Sequence, residues 1–199
     1  MSSEDSREAG FEDAYIGTPP WDINRPQEEF VRLTEAGNIQ GDVLDVGCGT
    51  GENALYLADR NHAVHGIDAA STAIERAREK ARTRDIEATF SVLNALELST
   101  LDQRYDTVVD SGLFHVFSDE ERPIYTEGLH AVLRPEGRYH MLCFSEHEPG
   151  SEGPRRVSKE GIRATFDDGW KIDAIRHATL ELNTDSGGVR AYLASVTRL

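Results

Sequence analysis

The stretch Asp42-Val43-Leu44-Asp45-Val46-Gly47-Cys48-Gly49-Thr50-Gly51-Glu52-Asn53-Ala54-Leu55 constrains the fold of this chain more than any other. Val43, Leu44 and Val46 are the apolar run of a short strand covered on both faces. Three glycines follow, which let the backbone turn tightly and bring bare main chain against a ligand. A helix then continues through Arg60 with Leu55, Leu57 and Ala58 inward. The glycine spacing narrows the ligand. A dinucleotide site wants G-x-G-x-x-G, whose third glycine would fall at Glu52. Here the run is G-x-G-x-G, with Asp45 inside the strand before it.

Further strands and helices alternate downstream. Ala63–Asp68 reads as a second strand ending in an acid, and a helix from Ser71, as its N-cap, runs to about Arg84 with Ala73, Ile74, Ala77 and Ala81 inward. Thr89–Leu93 is the third strand, followed by Asn94-Ala95, and Tyr105–Ser111 the fourth. Ser118 or Asp119 caps a helix reaching Leu133, Arg134–Gly137 turns the chain, and Arg138–Phe144 is the fifth strand. Residues 145–156 hold two glycines and two prolines and read as a mobile loop. Ser158 caps a short helix through Phe166. Trp170–Leu180, a Gly187-Gly188 turn and Arg190–Thr197 form a hairpin. This order predicts an α/β fold: a doubly wound, Rossmann-like seven-stranded sheet, mostly parallel, with a C-terminal antiparallel hairpin.

A length of 199 residues suits one domain. We expect a flexible tail over 1–14 and a single domain over 15–199 that begins with an arm, 15–36. There is no run of about 18 apolar residues and no apolar signal core, so a cytoplasmic protein without a membrane partner is expected. The formal charge of −15, with lysine only at 80, 159 and 171, argues against nucleic acid as a partner and suits a high-salt source. The two cysteines, Cys48 and Cys143, and the seven histidines show no metal-ligand spacing, so no metal is expected.

In a doubly wound sheet, ligands sit beyond the carboxyl ends of the strands. Gly47, Gly49 and Gly51 lie after the first strand, Asp68 and Ala69 at the second, Asn94 and Ala95 after the third, and Ser111 to His115 after the fourth. Asp68 stands where an acid can accept two hydrogen bonds from a ribose diol. The proline-stiffened arm Tyr15–Pro26 carries Trp21 and Arg25 and has no obvious core to join, so it reads as a lid.

Asp45-Val46-Gly47-Cys48-Gly49-Thr50-Gly51 resembles the cofactor loop of class I S-adenosylmethionine (SAM) methyltransferases, and Gly66-Ile67-Asp68 their ribose-binding strand end. Leu133-Arg134-Pro135-Glu136-Gly137 is similar to their L-(K/R)-P-G-G turn, with Glu136 in place of a glycine. Thr18-Pro19-Pro20-Trp21-Asp22-Ile23-Asn24-Arg25-Pro26 resembles the T-P-W-D-x-G-R arm of the thiopurine and thiol/halide methyltransferase group. Asn24 replaces a glycine there, and asparagine tolerates a left-handed backbone.

The resemblance implies that SAM is the cofactor, contacted by Trp21, Arg25, Asp45, Gly47, Gly49, Gly51, Asp68, Ala69, Asn94, Ala95 and Ser111. Asn94 then occupies the place of an acid that meets the adenine amino group. Methyl transfer to a small-molecule S, O or N nucleophile follows, by a monomer or weak homodimer. Trp21 and His115 are the candidates for catalysis, Trp21 through its aromatic face against the sulfonium and His115 as a base for phenol or amine acceptors. His115 reads equally well as a packing or substrate-orienting residue. Two other readings stand beside this one: a non-catalytic SAM-binding regulator, and a nicotinamide-dependent oxidoreductase, which Glu52 and the short chain disfavour.

Overall fold

Residues 3–199 are described by a computed structural model of the chain, with side chains from residue 9 onward. Seven strands form one sheet in the order β3-β2-β1-β4-β5-β7-β6. They are β1 (Val43–Val46), β2 (Val64–Asp68), β3 (Thr89–Val92), β4 (Tyr105–Ser111), β5 (Leu133–Phe144), β6 (Trp170–Glu181) and β7 (Gly188–Arg198). β1 to β5 run parallel, and β7 is antiparallel to both β5 and β6. The chain goes outward from β1 to β3 and then returns to place β4 on the other side of β1. The switch point, where such sheets bind ligands, is therefore between β1 and β4.

Both sheet faces are covered, and β1 shows how. Leu44 and Val46 join the core under helix α5 (Glu121–Val132) with Tyr125, Leu129 and Val132. Val43 joins the opposite core, with Phe30 of α2 (Glu28–Glu35), Leu55 of α3 (Glu52–Ala58) and Ile74 of α4 (Ser71–Arg84). A strand buried on both sides has no polar face, which explains why Val43, Leu44 and Val46 are all apolar, with Asp45 buried among them. At about 25 cal/mol per Å² of apolar area, such side chains contribute roughly 1.5–3 kcal/mol each relative to exposure. Helix α6 (Lys159–Thr165) completes the first layer, and its Ser158 hydroxyl accepts the Gly161 N–H at 2.9 Å, as expected of a cap.

Several sequence expectations need correction. The tail expected over 1–14 is helix α1 (Ser3–Ala14) in the structure; residues 1 and 2 lie outside the described residues. Ser71 is not the N-cap of α4, because Ala70 takes that place. The cap comes from α1 instead: the Glu12 carboxylate accepts from the Thr72 N–H at 3.2 Å and from the Ser71 and Thr72 hydroxyls. Those contacts lower the Glu12 pKa, chiefly through the Thr72 hydroxyl. Leu133–Gly137 is not a free turn but the start of β5, with an irregularity between the pairings Tyr105↔Leu133 and Thr107↔Arg138. Glu136 there has φ 63°, the left-handed value a glycine would take more easily.

The N-cap position of α5 is Glu120 rather than Ser118 or Asp119, but Ser118 exchanges bonds with the first turn, accepting the Glu121 N–H at 3.3 Å while its own N–H donates to the Glu121 carboxylate at 2.8 Å. Asn24 adopts the expected left-handed backbone, with φ 55°. Among the described residues, no helix is long and apolar enough to cross a membrane.

Candidate functional site

The carboxyl ends of β1 to β5 open into one cavity of about 680 Å³, roofed by the N-terminal arm and the segment 148–156. Of the residues expected at a site, Trp21, Arg25, Gly47, Gly49, Asp68, Ala69, Asn94, Ala95, Ser111 and His115 all line it. Asp45 and Gly51 do not.

The end of the cavity over β1 to β3 is made largely of main chain. Gly49 has φ 54°, and a Cβ there would lie 2.8 Å from the Tyr15 hydroxyl of the arm. Asp68 fixes this loop: one carboxylate oxygen accepts the Gly49 N–H and the other the Ala70 N–H, each at 2.9 Å. Burial raises the Asp68 pKa against those two donors. Each oxygen has a second lone pair, so the carboxylate can still accept from a ligand. Asn94 accepts the Leu96 N–H at 2.9 Å and thereby starts the 3₁₀ turn Ala95–Thr100 along the same wall.

Gly51 serves packing rather than contact. Its φ is 86°, and a Cβ would meet Ala77 Cβ at 2.9 Å and Phe90 Cε1 at 3.0 Å, holding α3 off α4 and β3. Asp45 is fully buried behind the loop, and neither of its oxygens has a hydrogen-bond partner. Its carboxyl pKa is pushed up to about 8, by burial first and then by Asp110; the Ala54 N–H opposes this without reaching bonding geometry. An orphaned carboxyl behind a glycine cradle fits a cofactor that carries positive charge, as the expected sulfonium cofactor does. Glu52, at the third-glycine position of a dinucleotide loop, is instead tied to Lys80 and Arg84, both at 2.7 Å.

The arm lies across the cavity mouth. Trp21 Nε1–H donates to the Tyr15 hydroxyl at 3.0 Å, and its ring meets Phe11 and Tyr15 edge-on. Thr50 of the glycine loop donates to Asp22 at 3.1 Å. Arg25 does not point a free cation at the cavity: its guanidinium forms a bidentate pair with Glu181 of β6 at 2.8 and 2.9 Å. Glu181 also accepts the Glu28 N–H, and its backbone exchanges two bonds with the Gln27 side chain.

The other end of the cavity is apolar, with Leu113, Val116, Phe117, Phe144, Leu180 and Val189 on its walls. His115 is buried there, and its Nδ1 accepts the Phe144 N–H at 3.1 Å. A backbone N–H only donates, so Nδ1 carries no proton and the neutral ring is protonated on Nε2. The pKa is pushed down to about 3, by burial first and then by Arg156 and Arg122. Both features weigh against a base and leave His115 a hydrogen-bond donor.

Two residues of this end were not singled out from sequence. Asp110, at the end of β4, is fully buried and accepts from the Tyr139 and Tyr125 hydroxyls at 2.7 and 3.1 Å and from the Leu113 and Phe114 N–H groups. It holds the connection that carries His115, and burial pushes its pKa up to about 6. Arg156 donates to the carbonyls of Glu148, Pro149, Glu152 and Pro154, which orders the glycine- and proline-rich segment. An acid at a strand end was a visible signal for Asp110. Nothing in the local sequence separated Arg156 from its neighbour Arg155.

The family described as "Methyltransferase domain" matches residues 43–137, from β1 into β5. A 2-heptyl-1-hydroxyquinolin-4(1H)-one methyltransferase of Mycobacteroides abscessus is 37% identical over 92% of this chain and 86% of its own. A probable thiol methyltransferase of Arabidopsis thaliana is 30% identical over 79% of this chain and 71% of its own. Among solved structures, one from work on the conversion of a disulfide bond into a thioacetal group during echinomycin biosynthesis superposes with a TM-score of 0.89. It is 36% identical and matches over 96% of this chain and 92% of that one.

Proposed function

The chain belongs to the methyltransferase domain family, as a class I SAM-dependent enzyme acting on small molecules, and from that premise we propose how its cavity divides the work. SAM supplies an electrophilic methyl group on a sulfonium centre. The carrying observation is that one cavity joins a main-chain cradle, with two carboxyl groups beside it, to an apolar chamber. Gly47 and Gly49 give the close approach, Asp68 accepts from the ribose, and Ala69, Asn94 and Ala95 flank the adenine. Ser111 lies at the junction of the two ends. The acceptor, an S, O or N nucleophile, occupies the apolar chamber in line with the methyl group.

Positioning of this kind supplies up to roughly 7–11 kcal/mol of a barrier. Trp21 gives the sulfonium an aromatic face worth about 0.5–2 kcal/mol. The arm, 15–36, acts as a lid on the single domain 15–199, and Arg25 contributes by latching it to β6 rather than by touching the cofactor. Asp45, protonated behind the loop while the site is empty, becomes a charge partner only as the sulfonium binds and draws its pKa down.

Calorimetry with SAM and with NAD, followed by a screen of thiol, phenol and amine acceptors with methyl-labelled SAM, tests this reading. SAM is expected to bind, NAD not, and label to move into a small product. Absence of SAM binding overturns the reading; binding without transfer to any acceptor turns it into the regulator reading.

A further inference from the structure

Methyl transfer to a neutral phenol needs a base for the hydroxyl proton, and transfer to a neutral amine leaves a cationic product, so the bases and charges available in the chamber bear on the acceptor. The acidic side chains on the cavity wall are engaged elsewhere. Asp22 accepts from Thr50, Glu52 is paired with Lys80 and Arg84, and Asp68 holds the glycine loop. Glu148 accepts the Arg190 N–H at 2.6 Å, and Glu152 is exposed to solvent. Tyr15 accepts from Trp21, and burial raises its pKa. His115 remains, and its one lone pair is used by the Phe144 N–H. Freeing that pair would leave the buried Phe144 N–H unsatisfied.

What the chamber offers instead is positive charge. Arg156 is held by carbonyl oxygens, and among the described residues no carboxylate lies within ion-pair distance of it. Its guanidinium lies 5.4 Å from the centre of the Phe144 ring, against which His115 packs edge-on at 4.8 Å. Arg122 does not line the chamber but stands behind its wall, over Phe114 at 4.8 Å, with Asp119 3.5 Å away and its buried Nε unpartnered. The field that disfavours a second proton on His115 favours an anion beside it. A protein of net charge −15 thus keeps a positive corner in its apolar chamber.

We propose that the methyl acceptor is an apolar weak acid that enters already ionised, its negative atom received by the Nε2–H of His115 and the charge of Arg156, with no general base. This rests on the methyl-transfer reading above and adds the acceptor's class: an acidic phenol or an aromatic thiol. The acceptor anion forms its bond to the methyl carbon as the carbon–sulfur bond breaks, and that electron pair returns to sulfur. No proton is released, and both products are uncharged at the reacting atoms. A dry, apolar chamber favours a step in which opposite charges cancel.

The test uses the full chain with 4-nitrophenol, thiophenol and phenol as probes. Their binding to the enzyme saturated with S-adenosylhomocysteine, and kcat/KM with SAM, are measured across pH. For the two acidic probes, both quantities should rise about tenfold per pH unit below the probe's own pKa and level off above it. The bend should move with the probe. Phenol, with a pKa near 10, should stay poor throughout the neutral range. His115→Gln, which restores an N–H donor, should keep most of the affinity, while His115→Ala loses about 10–100-fold for the anion. Arg156→Lys should keep the preference for the ionised probe and Arg156→Met should lose it.

A bend fixed in pH for all probes and abolished in His115→Gln would mean a base and overturn the proposal. Equal, pH-independent transfer to phenol, or no transfer to either acidic probe by an enzyme that binds SAM, would overturn it as well. Equal loss in Arg156→Lys and Arg156→Met would reduce Arg156 to a loop anchor and sink its part. Calorimetry with SAM on the same samples separates these failures from failure of the parent reading, in which SAM itself does not bind.

Discussion

The two ends of the cavity are built on different principles. The cofactor end is main chain and short side chains from three successive strand ends, β1, β2 and β3, with Asp68 tying the glycine loop in place. The acceptor end is a set of surfaces drawn from the β4–α5 connection, the end of β5, the 145–156 segment and the β6–β7 hairpin. Backbone shape is written in local spacing, because a positive φ or a close approach calls for glycine at a fixed offset. Side-chain surfaces from distant segments leave no such mark. The first end therefore speaks to which cofactor binds, and only the assembled second end speaks to the acceptor.

Removing Asp68 should have the largest effect and tests whether the two ends are separable. On the proposal that Asp68 holds the ribose, Asp68→Ala is expected to weaken SAM binding by roughly 2–4 kcal/mol, about 30–1000-fold. Affinity for 4-nitrophenol should change far less if the ends act independently. Calorimetry for both ligands decides it. Unchanged SAM affinity in a folded variant removes the ribose assignment, and a matching fall for the phenol merges the two ends into one unit.

A smaller effect belongs to Asp45, which lies buried behind the glycine loop without lining the cavity. In the folded protein its carboxyl holds a proton to about pH 8, whereas in the unfolded chain it ionises near the ordinary aspartate value of about 4. Folding stability from this group is thus complete below about pH 4 and is lost as pH rises through about 8, at up to about 1.4 kcal/mol per pH unit. Asp45→Asn has no proton to lose, so its stability relative to wild type should rise between mildly acidic and mildly alkaline pH. Urea unfolding across that range checks the sign, and parallel curves for the two proteins would refute it. Saturating SAM should flatten the wild-type curve if its positive charge acts on Asp45.

The same division explains what was legible beforehand. The alternation of strands and helices, the hairpin and the residues after β1, β2 and β3 could be read because apolar periodicity and glycine spacing are local signals. The strand-four acid Asp110 was in view without a role, since its partners Tyr125 and Tyr139 lie 15 and 29 residues away. Helix α1 was missed because its sequence has few residues to bury; it is anchored from outside by Glu12 on α4 and by Phe11 against Trp21. The pairing of Arg25 with Glu181 left no local trace because it spans 156 residues. The Nδ1 bond that fixes the tautomer of His115 depends on where β5 ends and has no trace in the sequence around it.

The smallest effect, and the sharpest for the roof shared by both ends, concerns the latch between the arm and β6. Glu181 accepts from the Arg25 guanidinium and the Glu28 N–H, and its main chain pairs with Gln27. Replacing it in Glu181→Ala removes the side-chain part only. Half of the Arg25 side chain is solvent-exposed, so the ion pair contributes no more than about 1 kcal/mol, about a fivefold shift in arm closure. SAM should still bind Glu181→Ala within a few-fold of wild type, because the cradle and Asp68 are untouched. On the lid proposal turnover should fall further than affinity, because closure would set the acceptor in line with the methyl group and exclude water. Limited proteolysis of residues 10–21 reads the arm directly: SAM should protect it strongly in wild type and less in the variant. Equal cleavage with and without SAM in both proteins, together with unchanged turnover, would make the arm a fixed strap rather than a lid, and the latch a matter of stability alone.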